Sequence, residues 1–374
     1  MKIIINAANK TQGGGKQVAI SVIEELAVLE SCDEFHVLLN SDFLTDIDTA
    51  SFPANFTFYL IERKSIELLK IRSRAKELSL LEKEIAPDRV ITVFGPAYWR
   101  PKGPHTIGFA LGLYALPESP YFKFLTFSEK VLFSLRKVIQ LYFFRKDADI
   151  VITETEVITQ RVKKLLGKNS VYTVSNNCSS NFWNFRENNY KKVIGKKVGT
   201  EIRLLSVTGY YRHKNLEIIP AVLDNLSKIG INNVKFILTL KKEHYIRIIP
   251  EKYRSKVQNI GYIESHRCPN LYYESDIVFL PTLAECFSAS YPEAMIMGKP
   301  IVTTDLSFAH SLCGEAALYY NALDALDAAT KIKLLIENKS IADNIVSNGF
   351  KQLKKFDTPK QRVEKILKIS KNNI

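Results

Sequence analysis

The sequence predicts an α/β chain made of two doubly wound domains, and three observations carry that expectation. Short, fully apolar runs alternate with amphipathic stretches from one end to the other, the pattern of parallel sheets covered on both faces. The alternation starts afresh after a polar, basic interval near residues 186–201. The chain is 374 residues long, more than one ordinary hydrophobic core takes up.

In the first half the apolar runs are KIIIN (2–6), FHVLL (35–39), FTFYLI (56–61), RVITVFG (89–95) and DIVIT (149–153). In the second they are IRLLSV (202–207), VKFILTL (234–240), DIVFLP (276–281) and KPIVTT (299–304). Between them, Val18, Ile20, Val22, Ile23 and Leu26, and later Leu216, Ile219, Val222, Leu223 and Leu226, follow helical spacing. Right-handed crossovers then make each half doubly wound. The expected division is an N-terminal domain over 1–185, a linker over 186–201 and a C-terminal domain over 202–355. A basic amphipathic helix within 356–374 (Val363, Ile366, Leu367, Ile369) packs back towards the N-terminal domain. Two such domains are expected to face one another across a cleft at the carboxyl ends of their strands, where ligands of these sheets bind.

Composition narrows the class. Hydrophobic residues make up 46% and charged residues 24%, which excludes a disordered, collagenous or membrane-embedded chain. The five cysteines (Cys32, Cys178, Cys268, Cys286, Cys313) form no C-x-x-C pair, so neither a disulfide framework nor a zinc knuckle is signalled. MKIIINAANK enters a strand pattern directly, with no signal-peptide pattern, and a cytoplasmic setting is expected. The net charge is +13. It divides as roughly −2 over 1–120, +9 over 121–200 and +6 over 201–374, a local block suited to one anionic partner rather than a uniformly basic coat.

Three stretches offer chemistry. Gln12-Gly13-Gly14-Gly15-Lys16 follows the first strand and opens the first helix, where glycines let backbone N–H groups approach a phosphate. Its spacing fits neither a Walker motif nor G-x-G-x-x-G, and a plain strand-to-helix turn is the alternative. Gly209-Tyr-Tyr-Arg212-His213-Lys214 follows the first strand of the second half. A forked guanidinium and a mobile ammonium there suit a diphosphate, and a solvated loop is the alternative. In PTLAECFSASYPEAMIMGKPIVTTD (281–305), Glu285 sits on a loop and Glu293 in the first turns of a helix. Their acceptor-only oxygens suit sugar or ribose hydroxyls, and the amides of Phe287, Ser288 and Ala289 suit a phosphate. Dipole compensation explains Glu293 equally well, but not a glutamate in an apolar loop.

That third stretch resembles the E-x7-E signature of family-4-like retaining glycosyltransferases of GT-B architecture, the group 1 glycosyltransferases. The glycine run, Arg212-His-Lys-Asn215, Val174-Ser-Asn-Asn177, Gly261-Tyr-Ile263 and Leu271-Tyr-Tyr-x-Ser-Asp276 stand in the matching order. The similarity spans nearly all of the second half and, in the first, the glycine run and the strand pattern. It implies a GT-B fold whose N-terminal domain binds the acceptor and whose C-terminal domain binds a nucleotide-sugar. Arg212 and Lys214 would contact the donor diphosphate, with Lys214, Arg212 and Glu285 as the catalytic set. Glu285 would hold donor-sugar hydroxyls and Glu293 the ribose. Gly14, Gly15, Gly209, Phe287, Ser288 and Ala289 would line the donor, whose base docks around Leu240 and Gly261–Ile263. Neither a cofactor nor a metal is implied, and no Asp-x-Asp motif is present. The family's His-Asp pair is missing: Pro104-His105-Thr-Ile-Gly108 lacks the aspartate, leaving His105 as an acceptor-side candidate or a structural residue. The usual Glu-Gly-Phe-Gly is Glu285-Cys286-Phe287-Ser288, with Cys286 read as a packing residue.

The resemblance implies transfer of a hexosyl unit to a glycan or lipid-linked acceptor in cell-surface polysaccharide or lipopolysaccharide synthesis. Residues 121–146 interleave eight aromatics with six cations: either they lie along an anionic membrane, at the inner face, or their aromatics fill the first core. Two other functions fit less of the sequence. A GT-B epimerase needs acid and base groups in the cleft. A nucleic-acid or polyanion binder would use the positive charge but shows no reading module, so no nucleic acid is expected.

Overall fold

The computed structural model describes residues 1–9, 13–61 and 68–372. Along the chain come β1 (Lys2–Asn6), α1 (Gly13–Val28), β2 (Glu34–Leu39), β3 (Phe56–Leu60), α2 (Leu68–Ile85), β4 (Arg89–Thr92) and β5 (His105–Gly108). They are followed by α3 (Gly112–Ala115), α4 (Phe127–Asp147), β6 (Ile150–Thr153), α5 (Glu156–Leu166), β7 (Val171–Thr173) and α6 (Ser180–Trp183). Next are β8 (Ile202–Ser206), α7 (Ile219–Lys228), β9 (Val234–Leu238), α8 (Lys242–Ile248), β10 (Val257–Asn259), α9 (Cys268–Tyr273), β11 (Ile277–Leu280) and α10 (Ser290–Ile296). The chain closes with β12 (Ile301–Thr304), α11 (Ser307–Cys313), β13 (Leu318–Tyr320), α12 (Ala325–Glu337), α13 (Lys339–Leu353) and α14 (Pro359–Asn372).

These elements form two compact units. The first comprises Met1–Ala115, Leu125–Asn176 and Asp357–Ile374; the second comprises Leu116–Phe124 and Asn177–Phe356. The division after Asn176 stands beside the expected one after residue 185, and a short segment before α4 belongs to the second unit. The first unit holds a seven-stranded parallel sheet in the order β3-β2-β1-β4-β5-β6-β7. The second holds a six-stranded parallel sheet in the order β10-β9-β8-β11-β12-β13. Each sheet changes winding direction beside its first strand, β1 against β4 and β8 against β11. Doubly wound sheets open a crevice at that point.

The fully apolar runs became central strands because both faces of each sheet are covered: Ile3, Ile4 and Ile5 of β1 and Leu204 and Leu205 of β8 are buried. In the first unit one face packs α1 and α14 through Ile20, Ile23, Val363 and Leu367. The opposite face packs Leu78 and Ile85 of α2 and Trp99. In the second, Val222, Leu223 and Leu226 of α7 meet Ala328, Ala329 and Ile332 of α12. The last helix, α14, belongs to the first unit and packs on α1. There Arg362 of α14 is buried and donates to Asn176 Oδ1 and, at 2.9 Å, to Ser21 Oγ of α1.

Several boundaries differ from expectation. The run RVITVFG is strand only to Thr92, and β5, β7, β10 and β13 lie outside the expected runs. β5 carries His105, Thr106 and Gly108 inside the sheet, and a line of polar groups accounts for it. Asn6 Nδ2 donates to Thr92 Oγ1 at 3.3 Å, and Thr92 Oγ1 donates to His105 Nε2 at 2.8 Å. The Asp147 carbonyl, an acceptor only, fixes the ring proton on His105 Nδ1 at 2.9 Å. Gly108 answers a different need. A Cβ there would lie 1.9 Å from the Val93 carbonyl oxygen, a backbone atom that cannot rotate away. Gly108→Ala is therefore expected to destabilise the first unit by about 3 kcal/mol. Calorimetry would show a fall of roughly 10 °C in its melting temperature. A fall under about 2 °C would mean that the two backbones have room to part.

Candidate active site

The second unit builds its site where β8 and β11 lie side by side, Leu204 opposite Ile277 and Leu205 opposite Val278. After β8 the chain passes Gly209 and makes a single 3-10 turn, Arg212–Lys214, ended by Asn215 in the left-handed region (φ 53°). After β11 it runs through Pro281–Ala289 into α10. The two loops are laced together. Leu283 N–H donates to the His213 carbonyl at 2.8 Å, Ser119 Oγ donates to the Leu283 carbonyl at 2.7 Å, and Ser206 Oγ donates to the Phe279 carbonyl at 2.6 Å.

This lacing brings Lys214 and Glu285 together. The Lys214 ammonium is ion-paired to Glu285 Oε1, and Thr282 Oγ1 donates to the same oxygen at 3.0 Å. The side chains retain 18% and 12% of their surface, so the pair is enclosed but reachable. Arg212 donates to the Phe124 carbonyl from the same 3-10 turn. His213 stacks with Tyr211 (centroids 5.7 Å apart, planes 28°) and meets Tyr121 edge-on. Burial pushes its pKa below the usual 6.5, with Glu285 pulling the other way.

Glu293 lies, half-buried, in the first turn of α10. Burial pushes its pKa up to about 7, against the Tyr272 hydrogen bond and the Lys214 charge, which both lower it. Tyr272, itself fully buried, donates to Glu293 Oε2 at 2.7 Å. The neighbouring thiols of Cys178 and Cys268 are pushed well above their ordinary range, chiefly by burial. Cys286 is buried. The Phe287 ring meets Phe356 edge-on at 5.6 Å. The amides of Phe287, Ser288 and Ala289 donate no hydrogen bond among the described residues, so they remain available to an acceptor. Gly209 is not forced by space, since a Cβ there meets only the Tyr211 ring at 3.6 Å. Within the same unit Leu240, Lys241, Tyr245, Asn259, Gly261 and Tyr262 line a concavity of 670 Å³.

In the first unit the glycine run opens α1. Gly13, at φ 68°, begins α1, and Gly14 and Gly15 fall in its first turn, with open space around Gly14. Gln12 lies outside the described residues. Lys16 is ion-paired to Asp46. His105 stands at the amino end of β5, fully buried, with both ring nitrogens engaged and its pKa pushed down to about 3, mainly by burial. That placement makes it a structural residue instead of an acceptor contact. Thr282 and Tyr272, which orient the two glutamates, went unread. The only signal was position: Thr282 is the second residue past the end of β11, and Tyr272 is in the segment preceding that strand. No helix among the described residues is long and apolar enough to cross a membrane.

Residues 201–338 match the family model described as glycosyl transferases group 1. A comparison with curated protein sequences gives no match. Solved structures match over the full length. WaaG, a glycosyltransferase involved in lipopolysaccharide biosynthesis, is 14% identical with a TM-score of 0.74, covering 100% of both chains. Anabaena HepE, in complex with UDP and glucose, is 15% identical with a TM-score of 0.74, covering 98% of this chain and 99% of that one. Sucrose-phosphate synthase from Thermosynechococcus elongatus is 13% identical with a TM-score of 0.71, covering 99% and 98%. At these identities the likeness is one of fold. The stretch carrying Arg212, Lys214, Glu285 and Glu293 thus matches the glycosyl transferases group 1 model, and the chain as a whole has the two-domain α/β fold of the GT-B glycosyltransferases.

Proposed function

We propose that this chain is a retaining glycosyltransferase. It moves a hexosyl unit from a nucleotide-sugar to a glycan or lipid-linked acceptor in cell-surface polysaccharide or lipopolysaccharide synthesis, without a divalent metal. The observation that carries the reading is the Lys214–Glu285 pair at the point where the second sheet changes winding direction, with Arg212 on the same 3-10 turn. Sugar transfer breaks the bond from the anomeric carbon to a phosphate oxygen. Negative charge grows on the departing diphosphate while the sugar becomes cation-like. Lys214 and Arg212 are fixed cations for that charge, and the free amides of Phe287, Ser288 and Ala289 are further donors. Glu285 accepts hydrogen bonds from sugar hydroxyls, Glu293 from the ribose, and the 670 Å³ concavity beside Gly261 receives the base. Acceptor binding falls to the first unit, whose Gly14 and Gly15 open α1.

A panel of UDP-, GDP- and ADP-sugars, read by melting temperature, tests the reading. A true donor at 100 times its Kd adds about 2.7 kcal/mol to the stability of the unit that holds it. One nucleotide class is expected to raise the melting temperature by roughly 5 °C or more, and UDP-sugars come first in the panel because HepE was solved with UDP. With that donor, turnover is expected to be unchanged by EDTA, and the product to keep the donor's anomeric configuration by NMR. If no sugar diphosphate moves the transition, the reading fails. Inversion or loss of activity on chelation would retire its retaining or metal-free part.

A further inference from the structure

Helix α4 turns the wrong face outward. It is a well-made helix: Thr126 caps it, accepting from Glu129 N–H at 3.3 Å while Glu129 Oε2 accepts from Thr126 N–H at 2.7 Å. Its 21 residues extend about 30 Å. One stripe packs inward within the first unit. Phe144 meets Phe109, Phe133 meets Tyr114, and Gln140 bonds the hydroxyls of Tyr114 and Tyr98. The opposite stripe is also apolar. Val131, Leu132, Leu135, Val138, Ile139 and Tyr142 recur at helical spacing and all are exposed, Leu135 by 57% and Val138 by 67%. Phe127 extends the stripe at the amino end, 84% exposed. A helix buried as core shows one apolar stripe; this one shows two.

Charge identifies what covers the second stripe. Lys130, Arg136, Arg145 and Lys146 lie exposed along it. The acids of the helix are Glu129, engaged in the cap, and Asp147, which is buried. A second copy of this chain would cover the apolar stripe only by bringing the same cations face to face. An anionic lipid surface takes up both features at once, the apolar side chains entering the acyl boundary and the cations meeting headgroups.

We infer that α4 is a membrane-docking helix, lying along an anionic bilayer with the Val131–Tyr142 stripe turned into it. This inference is independent of the sugar-transfer reading, because it rests on a surface of the first unit alone. The test is sedimentation of the full chain with vesicles of phosphatidylcholine alone and of phosphatidylcholine with about 30% phosphatidylglycerol. The chain is expected to pellet with the second and stay largely in the supernatant with the first. Leu135→Gln/Ile139→Gln is expected to lower the bound fraction at least about fivefold with an unchanged melting temperature, since both side chains are exposed. Arg136→Gln/Lys146→Gln is expected to abolish the preference for anionic vesicles. Equal recovery in both supernatants overturns the proposal. So does light scattering that shows a dimer which Leu135→Gln/Ile139→Gln converts to monomer, because the stripe would then be covered by a second copy.

Discussion

Lys214→Ala is expected to slow sugar transfer by about 10²–10³-fold, the usual loss when one fixed donor is removed from the charge that develops in a transition state. The expectation follows from where the ammonium is held. Glu285 and the laced loops keep it at the crevice of the second sheet before any donor arrives, so little reorganisation remains to be done. Glu285→Ala is expected to cost a comparable amount, through lost hydroxyl contacts and a released Lys214. Because the two side chains act as a unit, the double variant should lose far less than the product of the single losses. The pair is partly open to water, so each single change should lower stability by only about 1 kcal/mol. Steady-state rates beside circular-dichroism melts separate the two effects. Turnover within about threefold of the parent in either variant would remove this pair from catalysis.

The second large effect is on pH. Glu293 loses its proton near pH 7, held that high chiefly by burial. If its carboxylate accepts from the ribose, donor binding favours the ionised form and strengthens as pH rises through about 7, with a proton released on binding at lower pH. Calorimetric titration in two buffers of different ionisation enthalpy counts that proton. Glu293→Gln should flatten the profile and weaken binding throughout. Tyr272→Phe removes a donor that favours the charged form, so the midpoint should move upward. Stability runs the other way. The folded chain keeps a proton that the unfolded chain loses near 4.5, so this group's contribution is full below pH 4.5 and is lost as pH climbs through about 7. A donor affinity that stays constant from roughly pH 5.5 to 8.5 would show that Glu293 does not touch the nucleotide.

Much of the fold could be read because its central strands are covered on both faces and so are continuously apolar, as in β1, β2, β8 and β11. β7, β10 and β13 escaped notice: they are three-residue strands, and β7, β10 and β13 sit at sheet edges, where little apolar length is required. β5 escaped because His105 and Thr106 look polar until the partners of the histidine, Thr92 and Asp147, are known. The residues of the candidate site were legible, but their pairing was not. Lys214 and Glu285 are 71 positions apart, and only the adjacency of β8 and β11 joins them. For α4 the sequence displayed apolar residues at helical spacing on more than one side, and periodicity does not say which side a domain will bury.

The place of α14 has a consequence for how the protein is made. Val363 and Leu367 complete a core begun by Ile3, Ile5 and Ile20, yet they follow a stretch of ~180 residues, 177–356, that belongs to the other unit. During synthesis at about 5–20 residues per second, the sticky side of α1, which ends at Val28, waits roughly 15–65 seconds for α14 to begin at Pro359. The unit begun first on the ribosome is finished last, and a nascent chain stalled in between offers chaperones an open seam.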